Sequence, residues 1–232
     1  LPAFERIGET RSAAVTWGQI AYILHQCGEV DEALRIHRKV QLPAYERIGD
    51  THSAAVTWGQ IAYILHQCGE VDEALRIHRK VELPEYERIG DTRSIAVTWG
   101  RIADILQQRG QVDEAVELQL RRLEVSEQLG DIDEIAAANW ALAQIDLDRQ
   151  DLDAAMPRLI TSFQLLMKLQ RPDGIAAVGV TLGQVMLAAG ARAQARQVLQ
   201  ACRAAAAAIG DADIVSQVDE LMETIGDEDE ES

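Results

Sequence analysis

Cysteine, aromatic residues and positive charge are all scarce in this chain of 232 residues, and each shortage removes a class of protein. Three Cys give no disulfide framework, so a reducing compartment, the cytoplasm, is the default setting. With only 4% aromatic residues, the core must be built from small and aliphatic side chains, which suits close-packed helices. Twenty-two Lys and Arg stand against 38 Asp and Glu, a net charge of −16, which argues against a binder of nucleic-acid phosphates. Long hydrophobic runs are missing too. The long uncharged run Ile175 to Ala191 is interrupted by Gly179, Gly183, Gln184 and Gly190, and is expected to be a buried helix rather than a membrane span. Residues 1–8 have neither the basic start nor the apolar run of a signal peptide. No G-x-S-x-G, phosphate-binding loop, H-E-x-x-H or paired-Cys cluster is present, so neither an enzyme nor a cofactor or metal is expected.

What the chain does have is a repeat. Residues 1–41 and 42–82 differ at four positions only: Phe4/Tyr45, Glu9/Asp50, Arg11/His52 and Gln41/Glu82. A third copy departs from the second at eight of 33 positions between Leu83 and Ala115, and two divergent copies follow. Ala33, Ala74, Ala115, Ala155 and Ala195 recur at intervals of 41, 41, 40 and 40.

Inside each copy the period is helical. Val15, Ile20, Ile23 and Leu24 are spaced for one apolar face, and Val30, Ala33, Leu34 and Ile36 or His37 for another, so each unit reads as a helical hairpin of helix A and helix B. Gly28, Gly69, Gly110 and Gly190 fall where helix A ends and a left-handed residue is wanted. Asp31-Glu32, Asp72-Glu73 and Asp113-Glu114 put negative charge on the first turn of helix B, and Asp50, Asp91, Asp131 and Asp211 cap the next helix. Pro43 and Pro84 fall inside helix B of copies that are one residue longer there, which predicts a local bulge or kink absent from the later copies.

The pattern Trp17, Ile20-Ala21, Leu24, Gly28, Val30, Ala33, repeated at Trp58 and Trp99, resembles the tetratricopeptide repeat in its lengthened form of about 40 residues, as in kinesin light chains and in bacterial signalling ATPases and conflict-system proteins. The resemblance implies an all-α, right-handed solenoid of tandem hairpins. Its expected organisation is a partial helix over 1–8, repeats over 9–49, 50–90, 91–130, 131–170 and 171–210, a capping helix over 211–225 and an acidic disordered tail over 226–232. Because residues 1–8 match the last third of a helix B, a larger protein with upstream repeats is expected, with an unsealed edge able to self-associate.

In the family the A helices line a concave face, and the resemblance places the partner contacts there. They are Gln19, Tyr22, His25 and Gln26 in copy one, Gln60, Tyr63, His66 and Gln67 in copy two, and Arg101, Asp104, Gln107 and Gln108 in copy three. A Tyr-His-Gln ladder carries little charge, and suits a protein or peptide partner, with no nucleic acid and no membrane. Three of the eight changes between copies two and three fall on groove positions; surface drift and tuning of partner choice both account for this. Trp17, Trp58 and Trp99 are expected in the core, whereas Trp140, displaced by one residue, has two placements open, core or groove anchor. His37 and His78 are expected to be packing residues, and Cys202 a buried small one. Carboxylates are expected on helix starts and outer faces. The alternative to a partner-binding scaffold in a bacterial signalling protein is a purely structural self-association module.

Overall fold

A computed structural model describes residues 9–227; the expectations for 1–8 and for the acidic segment beyond 227 lie outside the described residues. Among the described residues there are eleven helices and no strand, and no helix is long and apolar enough to cross a membrane. The chain divides into two compact units at Gln111 and Val112. The first holds α1 (Thr10–Gln26), α2 (30–48), α3 (Thr51–Gln67), α4 (71–89) and α5 (Thr92–Gln108). In the second are α6 (Val112–Leu129), α7 (Ile132–Asp148), α8 (Leu152–Leu169), α9 (Pro172–Ala188), α10 (Arg192–Ile209) and α11 (Ala212–Asp227). Consecutive helices pack as hairpins, α1 on α2 and α3 on α4 in the first unit, α7 on α8 and α9 on α10 in the second.

The helix ends follow from the local sequence. Gly28, Gly69, Gly110 and Gly190 have φ between +75° and +83°, the left-handed conformation that closes helix A and that only Gly adopts without a Cβ penalty. The fourth copy lacks this Gly, and Gln150 takes the same conformation with φ +60°. Asp50, Asp91, Asp131 and Asp211 each accept a hydrogen bond from a backbone N–H three residues on, at Ser53, Ser94, Glu134 and Ile214, as N-caps do. Glu9, which stands where the later copies have Asp, makes no side-chain cap bond.

The core is as small-residue-rich as the composition demands. Ala33, Ala74, Ala115, Ala155 and Ala195 are all fully buried, and Ile36, Ile61, Ile77, Leu159, Leu182 and Leu199 fill the space around them. Each such large side chain contributes roughly 1.5–3 kcal/mol by leaving water. α9 carries the uncharged stretch and buries nine residues, among them Gly179 and Gly183, where an added Cβ would collide with Cys202 and Leu199 of α10. In α11, Val218 and Ile225 are buried, with Asp213, Gln217, Glu220 and Glu223 on the outside. One expectation needs correcting. Ile23 is 60% exposed in the first copy, although the equivalent Ile64 and Ile105 are 3% and 1% exposed, whereas Val15 at 45% and its equivalent Val56 at 37% are both on the surface. The periodicity identified the stripe, but Ile64 is buried by Ala33 and Ile36 of the preceding copy's helix B, a contact that α2, packed on the other side of α1, does not make with Ile23.

The proline expectation is met in α2 and α4. Both are α-helical at each end, Val30–Ile36 with Leu42–Ile48 and Val71–Ile77 with Leu83–Ile89, and both pass through one π turn, His37–Gln41 and His78–Glu82. At its end the N–H of Leu42 bonds to the carbonyl of His37, five residues back, and that of Leu83 to His78. The wider turn absorbs the extra residue and places Pro43 and Pro84 at the start of a fresh α segment, where a missing N–H costs little. α6, one residue shorter and without Pro, is α-helical throughout. α8 is uninterrupted as well, though Pro157 lies inside it. The π turn therefore tracks the inserted residue, not the proline by itself.

Candidate partner-binding groove

The helical period puts the twelve candidate residues of the first unit on one face of α1, α3 and α5. Gln19, Tyr22, Gln26, Gln60, Tyr63, Gln67, Arg101, Asp104 and Gln108 are exposed, and His25, His66 and Gln107 are half-buried. Neighbouring copies touch along this face. The ring of His25 meets that of Tyr63 edge-on, with centroids 6.1 Å apart, and His66 Nε2 lies 2.7 Å from Gln108 Oε1. Within α3, the Gln67 amide donates to the Tyr63 hydroxyl. Two hollows open here: one of about 770 Å³ lined by Val15, Gln19, Tyr22, Ile23, Gln41 and Gln60 among others, and one of about 350 Å³ lined by Tyr22, His25, Gln60, Tyr63 and Arg101 among others. Tyr22, 63% exposed, and Gln60 belong to both.

The floor of this face is polar in a way the sequence reading missed. His37 and His78 are buried, as expected of packing histidines, but each also bonds the residue four positions on: His37 Nδ1 to Gln41 Oε1 at 2.6 Å, His78 Nδ1 to Glu82 Oε2 at 2.5 Å. Burial pushes the His37 imidazole below its ordinary pKa, against the hydrogen bond it donates to Gln41 Oε1. Glu82 is fully buried, which corrects the expectation that carboxylates sit on helix starts and outer faces. Its other oxygen accepts from Arg101 Nη1 at 2.9 Å, so Arg101 is at once a groove residue and the partner of a buried acid. Room for both long side chains comes from Gly18 and Gly59, where a Cβ would collide with the end of Gln41 or of Glu82. Tyr86 is buried nearby, and burial together with the Glu82 carboxylate pushes its phenol up to about 12. The signal available in the sequence was the joint change of Gln41 to Glu82 and of Gln60 to Arg101, one copy apart.

The same register explains Trp140. Gly18, Gly59, Gly100, Trp140 and Val180 each lie 15 residues before the recurrent Ala, and Gln41, Glu82, Arg122, Ser162 and Cys202 occupy equivalent positions on helix B, facing Gly18 and Gly59 in the first two copies and Gly179 in the fifth. Where this helix B residue shortens to Ser162, the glycine becomes Trp140. Half-buried, the indole packs against the core of the second unit and lines a hollow of about 300 Å³ with Asp133, Ala137, Ser162, Leu166 and Ala177. Trp140 thus packs on the core with one side and lines a hollow with the other. Ser162 donates to the Ala136 carbonyl and Cys202 to the Ala176 carbonyl, the same bond one copy apart, and burial raises the Cys202 thiol to about 11. Trp17 and Trp58 are half-buried and pack on core clusters of the first unit. Among the described residues no group of three His, Cys, Asp or Glu could hold a metal ion.

Comparison with known proteins agrees with this architecture. A tetratricopeptide repeat family model matches residues 98–133. No curated protein matches the sequence. Among solved structures, a kinesin-light-chain-like protein of nearly identical TPR-like repeats from Podosopora anserina is 20% identical, covering 87% of this chain and 98% of its own, with a TM-score of 0.63. A Rap protein complexed with competence and sporulation factor is 14% identical over 90% of this chain and 64% of its own, with a TM-score of 0.68. A signal transduction ATPase with a tetratricopeptide repeat sensor from Pyrococcus horikoshii is 14% identical over 91% of this chain and 36% of its own, with a TM-score of 0.63. Its all-helical hairpins and these structural likenesses give the chain a TPR-like α-solenoid fold, within which residues 98–133 match a tetratricopeptide repeat.

Proposed function

We propose that this protein is a protein-interaction scaffold, and that the A-helix face of its first unit holds an extended peptide segment of a partner. The observation that carries this reading is the pair of exposed tyrosines, Tyr22 and Tyr63, at 63% and 50%, standing over hollows floored by amides and imidazoles. Large rigid aromatics left in water beside hydrogen-bonding groups are what a peptide-binding surface uses as anchors. The Rap protein of like fold complexed with competence and sporulation factor supports the reading, and the repeat sensor of the Pyrococcus ATPase supports a place as the sensor or assembly arm of a larger signalling protein. Trp140 supplies a further anchor on the second unit.

The test is affinity measured with a peptide selected on the protein from a displayed random library. Tyr22→Ala combined with Tyr63→Ala should weaken that peptide at least tenfold, as anchor truncations costing more than about 1.4 kcal/mol do, with the melting temperature unchanged. Unchanged affinity would refute the groove. A second reading, self-association without a peptide ligand, is favoured by the apolar face of α1, where Ile23 and Val15 are exposed. It requires that Ile23→Glu shift the protein to a smaller species in solution.

A further inference from the structure

Two nearly identical copies side by side raise a problem that the groove does not address. The surface of α2 that receives α3 and the surface of α4 that receives α5 are almost the same, so α3 of one molecule could dock on α4 of another. Ala54/Ile95 and Ala44/Glu85 differ between these two junctions, and so do the polar residues at their centre, which carry the contrast in charge. At the first, Gln41 is buried beside His37 and shares a hollow with Gln60. At the second, Glu82, with no exposed surface, is bonded by His78 and by Arg101 at 2.9 Å.

We propose that Glu82 and Arg101 form a specificity-determining pair that decides which A helix docks on which helix B, and so excludes a second copy of this chain from pairing through exchanged repeats. The chemistry is one-sided. Arg101 docked against Gln41 would lose an acceptor, but its side chain is 43% exposed and reaches water. Docking α3 on α4 instead would bring Gln60 to the place of Arg101 and leave a fully buried carboxylate without its guanidinium, a costly arrangement in a low-dielectric interior. Neutral with neutral and charged with charged is thus the combination that the covalent order of the repeats provides. The inference stands whether or not the groove binds a peptide.

Three variants of the full chain test it. Arg101→Gln strands the acid and should lower the melting temperature by roughly 5–10 °C, given about 2–4 °C per kcal/mol for a chain of this size. Glu82→Gln with Arg101→Gln gives the second junction the neutral polar pair of the first; it should regain most of that loss. Refolded from denaturant at about 50 µM, it should give at least threefold more dimer and larger species than the parent by size exclusion with light scattering. Gln41→Glu with Gln60→Arg gives both junctions the charged pair, keeps every charge paired, and should raise the same species without loss of melting temperature. A normal melting temperature for Arg101→Gln would overturn the proposal, as would parent-like refolding of both double variants.

Discussion

A single carboxylate decides how each A helix in the middle of the array begins. Asp50 accepts hydrogen bonds from the Ser53 backbone N–H and hydroxyl and pairs with Arg11 at 3.2 Å; Asp91 does the same with Ser94 and with His52 at 3.1 Å. Burial alone would raise both carboxyls, but these bonds and neighbouring charges outweigh it and hold them below the ordinary carboxylate range. A depressed folded pKa contributes stability that is complete above the unfolded value of about 3.9 and is lost as pH falls through the folded value. Asparagine caps a helix nearly as well and does not titrate. Thermal melts of Asp50→Asn with Asp91→Asn should therefore fall less steeply than those of the parent between about pH 4 and pH 2, with similar melting temperatures near neutrality. Parallel curves would show that the caps do not carry this acid sensitivity.

At the scale of the helix, the π turns of α2 and α4 separate two causes that the sequence presents together, an extra residue and a proline. Pro157, inside an uninterrupted α8, indicates that the insertion is what demands the wider turn. Pro43→Ala should then leave α2 intact and shift the melting temperature little. Deleting Lys39, an exposed residue of the turn, should cost about 3 kcal/mol while Pro43 remains, because the proline is then held in an α-helix interior. Adding Pro43→Ala to the deletion should restore most of that, since the result has the length of α6; failure to restore it would make the turn necessary in its own right. Hairpins, caps, left-handed glycines and these bulges were legible because each is written in a few adjacent residues. Glu82 was not, because its burial is set by a helix from the next copy, and an acid among many acids gives no local sign of depth. Trp140 was half legible. Its displacement showed in the spacing, but the short Ser162, where the first three copies have Gln, Glu or Arg, lies across the hairpin.

For the molecule as a whole, what matters is that stability is passed between neighbours. In the second unit α10 packs on α9 and α11, and α7 packs on α6 and α8, so a defect in α10 has no direct route to α7. Repeat arrays of this kind behave as chains of units coupled to their nearest neighbours. Leu199 is fully buried in α10 against Gly183, and Leu199→Ala should cost about 3 kcal/mol, since the glycine offers no side chain to refill the space. Hydrogen exchange should then show amides of α9, α10 and α11 losing protection by about a hundredfold, the equivalent of that cost, while those of α7 change by less than about threefold. Equal loss of protection in α7 would mean that the unit opens as one block. In that case a partner seated on any one hairpin would be felt by all of them, and the hollow beside Trp140 would respond to events at α11.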